Sequence, residues 1–199
     1  GALRALLATE EAMRRAEGCP GLVVGSTVDP GTGRHSYGGW RRGGYFNPLR
    51  LALVPPGDAP VPCDTVHGNC VLVSRGVVRA IGILDDAFVH AMGDLDYGFR
   101  AGRAGCGVWI APGYLAECET NTGKELFSEA ALTPAQRWRR LVGPKGLPPR
   151  AWLTFTSRHA GPLCVRCAHE RLRARLAHAS ARHPQPRALA RRTLGGRPP

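Results

Sequence analysis

The sequence has no long hydrophobic run, no signal-peptide pattern at its start and no even set of cysteines. No apolar stretch approaches the roughly 18 residues that are needed to cross a bilayer. The seven cysteines are an odd number without a framework spacing, which favours reduced thiols over disulfides. We therefore expect a cytoplasmic protein whose fold depends on a buried core and not on covalent cross-links.

Lysine and acidic residues are nearly absent from the last quarter of the chain. Residues 151–199 carry ten arginines, no lysine and the single acid Glu170, and so hold +9 of the formal net charge of +12. Such a segment suits phosphates, acidic polymers or an anionic membrane surface, or is simply solvated. It has no aromatic residue after Phe155 and no nucleic-acid-binding motif, which argues against nucleic acid as a partner.

Short apolar runs alternate with stretches of helical period along the chain. Strands are predicted for residues 21–25, 35–37, 51–54, 69–73 and 108–111. Helices are predicted for residues 2–17, 75–81, 93–104 and 132–141. This alternation predicts an α/β fold with a mixed sheet flanked by helices.

A segment rich in glycine and proline, residues 143–149, follows the last of these helices. Such a composition breaks a helix and predicts a boundary. We therefore expect one domain over residues 1–149. Residues 150–199 are expected to form a basic C-terminal extension that is partly helical or disordered.

Residues 84–100 hold four aspartates and a histidine within a short span, in a chain whose remaining charge is mostly positive. Asp94 falls in the first turn of a predicted helix, where an ionised carboxylate is stabilised and can accept a proton. Asp96 is two residues further on and does not share a helix face with Asp94, but it has ion-pair spacing to Arg100. Acids in a first helical turn are also ordinary caps, and spacing alone favours that interpretation.

Six motifs in order and spacing resemble those of the family-two inverting glycosyltransferases, most closely the bacterial rhamnosyltransferase-like members. The resemblance covers about residues 1–160. The motifs are residues 23–26 (VVGS), 36–40 (SYGGW), 67–75 (HGNCVLVSR), 81–85 (IGILD), 88–90 (FVH) and 93–100 (GDLDYGFR).

The resemblance implies a GT-A fold, which is Rossmann-like, and transfer of a sugar from a nucleotide-diphosphate sugar with inversion. The acceptor would be a glycan or a lipid-linked molecule in cell-envelope or polysaccharide synthesis. In the family an acidic pair at a helix start supplies the general base; Gly93 and Asp94 stand in its place, so Asp94 inherits that role. Asp96 and Arg100 are assigned to the substrate-binding side, where they shape the helix start.

Four further residues are candidate substrate contacts. Gly68 and Asn69 precede a predicted strand, where a small residue permits close approach and an amide can bind sugar hydroxyls. Trp40 can stack on a sugar ring, and His90 can contact the acceptor or the diphosphate. Each has a plainer interpretation: a turn for the Gly-Asn pair, packing for the tryptophan and a structural role for the histidine.

The chain departs from the family in its donor site. Members begin with a nucleotide-binding half that ends in an acidic motif holding a divalent cation, Mg²⁺ or Mn²⁺. The chain starts in a predicted helix at Gly1, and its Asp-x-Asp pattern is Asp94-Leu95-Asp96 at the proposed base. We therefore expect the acceptor-side, C-terminal portion of such an enzyme. We name no metal ligand. Cys164 and Cys167, with His169 and His178, form a partial zinc pattern, for which incidental cysteines are the favoured interpretation.

Two rival functions stay open. The chain can be a non-catalytic basic module whose arginines bind nucleic acid or an anionic membrane surface. It can also be a degenerate or truncated product of a glycosyltransferase gene that does nothing by itself.

The 199-residue chain is expected not to transfer sugar alone, because the leaving diphosphate would have neither its binding half nor a cation. The measurement compares transfer by this chain with transfer by a protein extended upstream. Turnover by the short chain would contradict the prediction.

Overall fold

A computed structural model describes residues 1–44, 48–90, 92–121, 132–144 and 146–161. Over these residues the chain forms a curled mixed sheet and five helices. The predicted α/β class and the mixed sheet with flanking helices are confirmed. Most of the predicted basic extension, residues 162–199, lies outside the described residues.

The helices follow the caps that the sequence provides. They are α1 (Ala2–Glu17), α2 (Arg75–Ile81), α3 (Gly93–Arg103), α4 (Pro134–Val142) and α5 (Pro149–His159). Gly18 ends α1 in the left-handed conformation, Ser74 caps α2, and Thr133 forms a capping box with Gln136 at α4. The first four helices match the predicted ranges within two residues. In the described part of the chain, no helix has the length and apolar character to cross a membrane.

The described residues form two sheets, and the larger one is built around the central strand β1 (Gly21–Val28). The strands are β1 (Gly21–Val28), β2 (His35–Tyr37), β3 (Gly39–Arg42), β4 (Leu51–Leu53), β5 (Val61–Pro62), β6 (Thr65–Val66), β7 (Val71–Val73) and β8 (Gly107–Glu117). β1 is parallel to β8 and antiparallel to β2 and β7, and β5 pairs antiparallel with β8. β4, β3 and β6 form a separate antiparallel sheet. β1 is buried over seven of its eight residues, as a strand covered on both faces should be.

Helix α3 packs closely on β6, and this contact places the start of the helix. Thr65 Oγ1 in β6 donates to the carbonyl oxygen of Leu95 at 2.7 Å. A Cβ added at Gly98 would lie 2.7 Å from the Cα of Thr65, closer than real Cβ atoms approach backbone. Because glycine stands there, α3 can approach the strand and bring its N-terminus beside the loop that follows β6.

A fully buried carboxylate, that of Asp96 in α3, joins α3 to α5. Its oxygens accept hydrogen bonds from Arg100 Nε at 2.8 Å, Arg158 Nη1 at 2.9 Å and His159 Nε2 at 2.8 Å. Burial raises the pKa of Asp96, but the hydrogen bonds from His159, Arg100 and Arg158 outweigh burial and lower that pKa to about 2. Arg158 also bridges to Asp85 at 2.8 Å, so the loop before α3 is held as well. We call Asp96 with Arg100, Arg158 and His159 the buried ion cluster.

The last turn of α5 is tied down by arginines from two other elements. Arg42 of β3 donates to the carbonyl oxygen of His159 at 3.3 Å, and Arg103 of α3 donates to that of Arg158 at 2.7 Å. These carbonyls have no partner within the helix, so the guanidinium groups cap it. Residues 150–161, the described part of the predicted extension, therefore pack against the preceding domain. The division at residue 149 otherwise stays a prediction.

Replacing the buried carboxylate should destabilise the protein and reduce the loss of stability at acidic pH. Asp96→Asn should lower the free energy of unfolding by about 3 kcal/mol at pH 7, because it leaves the partly buried guanidinium groups of Arg100 and Arg158 without their counter-charge. The pKa of Asp96 is depressed from 3.8, so its stabilisation is present above pH 4 and is lost as pH falls toward 2. Urea denaturation at several pH values measures both effects.

The exposed Asp58 provides the matched control. Asp58→Asn should leave the free energy of unfolding nearly unchanged at every pH. A difference between wild type and Asp96→Asn that stays constant from pH 7 to pH 2.5 would contradict the assignment.

Candidate functional site

Asp94 lies in the first turn of α3, as the sequence predicts. Its Oδ2 accepts the backbone N–H of Gly68 at 2.9 Å, and its Oδ1 accepts the N–H of Leu95 at 2.8 Å. Met92, immediately before the helix, has a positive φ of 70° that is uncommon for a non-glycine residue. Its side chain is buried in the cluster that joins α3 to α5, which holds this unusual turn in place. The carboxylate is therefore fixed by the helix start and by the Gly68 loop.

The predicted contacts Gly68 and Asn69 lie in the exposed loop between β6 and β7. Gly68 reaches Asp94 directly through its N–H. A Cβ at Gly68 would be 3.6 Å from Asp94 Oδ2, an ordinary contact, so the space there does not require glycine. Asn69 is next to it and its Nδ2 donates to Cys118 Sγ at 3.3 Å. The structure thus brings Asp94, Gly68 and Asn69 together.

Trp40 belongs to an aromatic group centred on His67. The His67 ring lies 5.1 Å from the rings of both Trp40 and Tyr37, edge-on to each. Trp40 Nε1 and His67 Nδ1 are buried and have no hydrogen-bond partner among the described residues. In this structure Trp40 packs on His67, as its plainer interpretation expects.

His67 is not among the candidate site residues predicted from the sequence, although it belongs to the motif that contains Gly68 and Asn69. Burial lowers the pKa of His67, and the Asp94 carboxylate opposes that shift. A neutral imidazole therefore lies within electrostatic range of the candidate base. Its position immediately before the Gly-Asn pair was the available signal.

Asp96 and Arg100 lie on the buried side of α3. Asp96 is 0% exposed and its oxygens are occupied by the buried ion cluster. Arg100 donates to the carbonyl oxygens of Ile81 and Ile83 as well as to Asp96. Their polar atoms are thus engaged by the protein, and the predicted pairing of the two residues is present. His90 is exposed in the loop that precedes α3.

Asp94 and Gly68 line a cleft of about 470 Å³. Most of its wall is apolar. The other lining residues are Leu22, Val66, Val71, Val73, Val78, Ile83, Leu84 and Tyr97. The hydroxyl of Tyr97 donates to the carbonyl oxygen of Gly82 at 2.8 Å. Among the lining residues that the structure describes, Asp94 supplies the acidic side chain.

This arrangement can take a proton from a bound hydroxyl. A carboxylate has about four lone-pair sites and the two backbone donors use two of them, so acceptor sites remain for an incoming donor. Fixed orientation and hydrogen-bond reach are what a general base requires. The described residues contain no group of three or more His, Cys, Asp or Glu side chains that could hold a metal ion.

Comparisons of the chain with models of protein families, with curated proteins and with solved structures found no match. The glycosyltransferase resemblance therefore depends on the motifs quoted above. The partial zinc pattern of Cys164, Cys167, His169 and His178 lies outside the described residues and stays a prediction.

His67 should titrate below the ordinary histidine pKa of 6.5, and Asp94→Asn should lower its pKa further. Burial already disfavours the imidazolium, and the substitution removes the negative charge that favours it. Titration of the His67 ring protons by NMR, assigned with His67→Gln, measures the shift. Asp86→Asn, at an exposed acid on the same segment, should have no effect. An unchanged or raised pKa in Asp94→Asn would contradict the electrostatic contact.

Proposed function

We propose that the chain is the acceptor-side portion of an inverting glycosyltransferase of the GT-A type, with Asp94 as its general base. The observation that carries the proposal is the Asp94 carboxylate, fixed at a helix start by the Gly68 N–H and forming part of the wall of a cleft. The six motifs that resemble family-two enzymes support it. The donor would be a nucleotide-diphosphate sugar whose binding half is supplied by sequence outside this chain.

The proposed reaction is a single displacement. Asp94 accepts the proton of an acceptor hydroxyl as the hydroxyl oxygen attacks the anomeric carbon. The bond between that carbon and the diphosphate oxygen breaks, and its electron pair leaves with the diphosphate. Attack from the face opposite the leaving group inverts the anomeric centre. In the family a divalent cation, Mg²⁺ or Mn²⁺, offsets the diphosphate charge, and the described residues present no ligand set for it.

The surroundings of Asp94 support a role as base. Burial lowers the pKa of His67 and so disfavours the imidazolium that would pair with the carboxylate, which favours an Asp94 that is available to the acceptor. The edge-on packing of Trp40 and Tyr37 on His67 stiffens the loop that carries Gly68. Asn69, exposed beside Gly68, has the amide chemistry to bind a sugar hydroxyl.

The rival function, a basic module for nucleic acid or an anionic membrane, depends on residues 162–199, which lie outside the described part of the chain. We retain a cytoplasmic location, with peripheral contact at the inner face of the membrane, as part of the glycosyltransferase proposal. The acceptor is proposed to be a glycan or a lipid-linked molecule.

In a protein extended upstream by its nucleotide-binding half, Asp94→Asn should reduce kcat for sugar transfer about 1,000-fold. Asparagine keeps the size of the side chain and an oxygen for the Gly68 N–H, but it cannot accept the acceptor's proton. Transfer from a panel of nucleotide-diphosphate sugars gives the rate, and NMR of the product gives its anomeric configuration.

Asp86→Asn is the control and should keep wild-type kcat. Asp94→Asn at wild-type rate, or a product with retained configuration, would exclude the proposed mechanism.

A further inference from the structure

The cleft beside Asp94 has walls of an unusual composition for a sugar site. Among the described residues that line it there is no lysine or arginine, and four of its apolar side chains, those of Val73, Val78, Ile83 and Leu84, are exposed to solvent. Ile83 is 77% exposed and Leu84 57%. We propose that this cleft binds an uncharged amphiphilic alcohol, with its hydroxyl at Asp94 and its apolar body along these four residues. As a statement about the acceptor, this rests on the proposed function.

The apolar walls favour an apolar body. Covering exposed Ile, Leu and Val side chains with alkyl or aromatic surface removes both partners from water, which is favourable. A volume of about 470 Å³ is within the range of small-molecule sites, which are mostly apolar with few polar groups. The groups that surround the cleft therefore match a ligand that is apolar over most of its length.

A bare oligosaccharide fits these walls poorly. Its hydroxyl groups would lose water against Val73, Val78, Ile83 and Leu84 without gaining partners, and each such loss is costly. Apart from the Asp94 carboxylate, polar groups of the lining are already engaged: Tyr97 donates to Gly82 and the Gly68 N–H to Asp94. Sugar units would be accommodated outside these walls, where Asn69 is exposed.

Asp94 determines what the polar end of the ligand must be. A ligand that covered the carboxylate without donating a hydrogen bond would leave a desolvated charge, so the ligand must bring a donor. A phosphate at this end would be repelled by Asp94 and would meet no cation among the lining residues that the structure describes. A neutral hydroxyl satisfies both conditions, and it is also the group from which a general base takes a proton.

The test uses the 199-residue chain and two probes, n-octyl β-D-glucopyranoside below its micelle concentration and methyl β-D-glucopyranoside. They present the same sugar and differ in their apolar part. Titration calorimetry should give at least tenfold tighter binding of the octyl glucoside. Ile83→Asp should weaken that binding at least fivefold. The matched control Val89→Asp alters a side chain that is 82% exposed and outside the cleft lining, and should change it less than twofold.

Equal affinities for the two glucosides would overturn the inference, as would equal effects of Ile83→Asp and Val89→Asp. Binding of the octyl glucoside only above its micelle concentration would assign this surface to membrane contact and would also overturn it. The two proposals fail separately. If Asp94→Asn abolishes transfer but the glucosides bind alike, the ligand class alone is wrong. If the octyl glucoside is preferred but Asp94→Asn transfers normally, the cleft keeps its ligand class and the catalytic role is wrong.

Discussion

The buried carboxylate of Asp96 is the interaction on which the described structure depends most. A lone buried charge is costly, and it is tolerated here because Arg100, Arg158 and His159 all donate to it. These donors come from two helices that are distant in sequence, so the charge can be satisfied only when α5 is docked on α3. Arg158 also holds Asp85 in the loop before α3. One carboxylate thus couples the helix, its preceding loop and the C-terminal helix.

Asp94 and Asp96 are chemically identical, and the fold gives them opposite environments. Two residues along a helix correspond to a rotation of about 200°, so the two side chains point away from each other. Asp96 faces the buried ion cluster, where its hydrogen bonds hold it ionised and inaccessible. Asp94 faces the Gly68 loop and the apolar cleft. The structural acid fixes the helix whose first turn presents the acid proposed for chemistry.

The sequence predicted the local features of this arrangement, which are helices and one ion pair within a helix. The breakers and caps predicted α1 to α4, and the spacing of Asp96 and Arg100 predicted their pairing. It could not reach Arg158 and His159, because they are 62 and 63 residues from Asp96 and no local pattern marks such a contact. In the sheet of β3, β4 and β6, the sequence predicted β4 within residues 51–54 but not β3 or β6. These two strands are four and two residues long, too short for a clear period.

The contacts of Arg158 and His159 show that the C-terminal helix α5 is packed against α3. Composition placed residues after 149 in a basic extension, yet Arg158 and His159 complete the buried ion cluster and Phe155 is fully buried against Phe99 of α3. A chain ending at residue 149 would leave Asp96 with Arg100 as its one remaining partner from the cluster. Because α3 also carries Asp94, the geometry of the proposed base depends on α5. Within the described residues of this segment, Arg158 therefore has a structural role, because it pairs with the buried Asp96 and with Asp85. Arginines from β3 and α3 in turn cap the last carbonyls of α5.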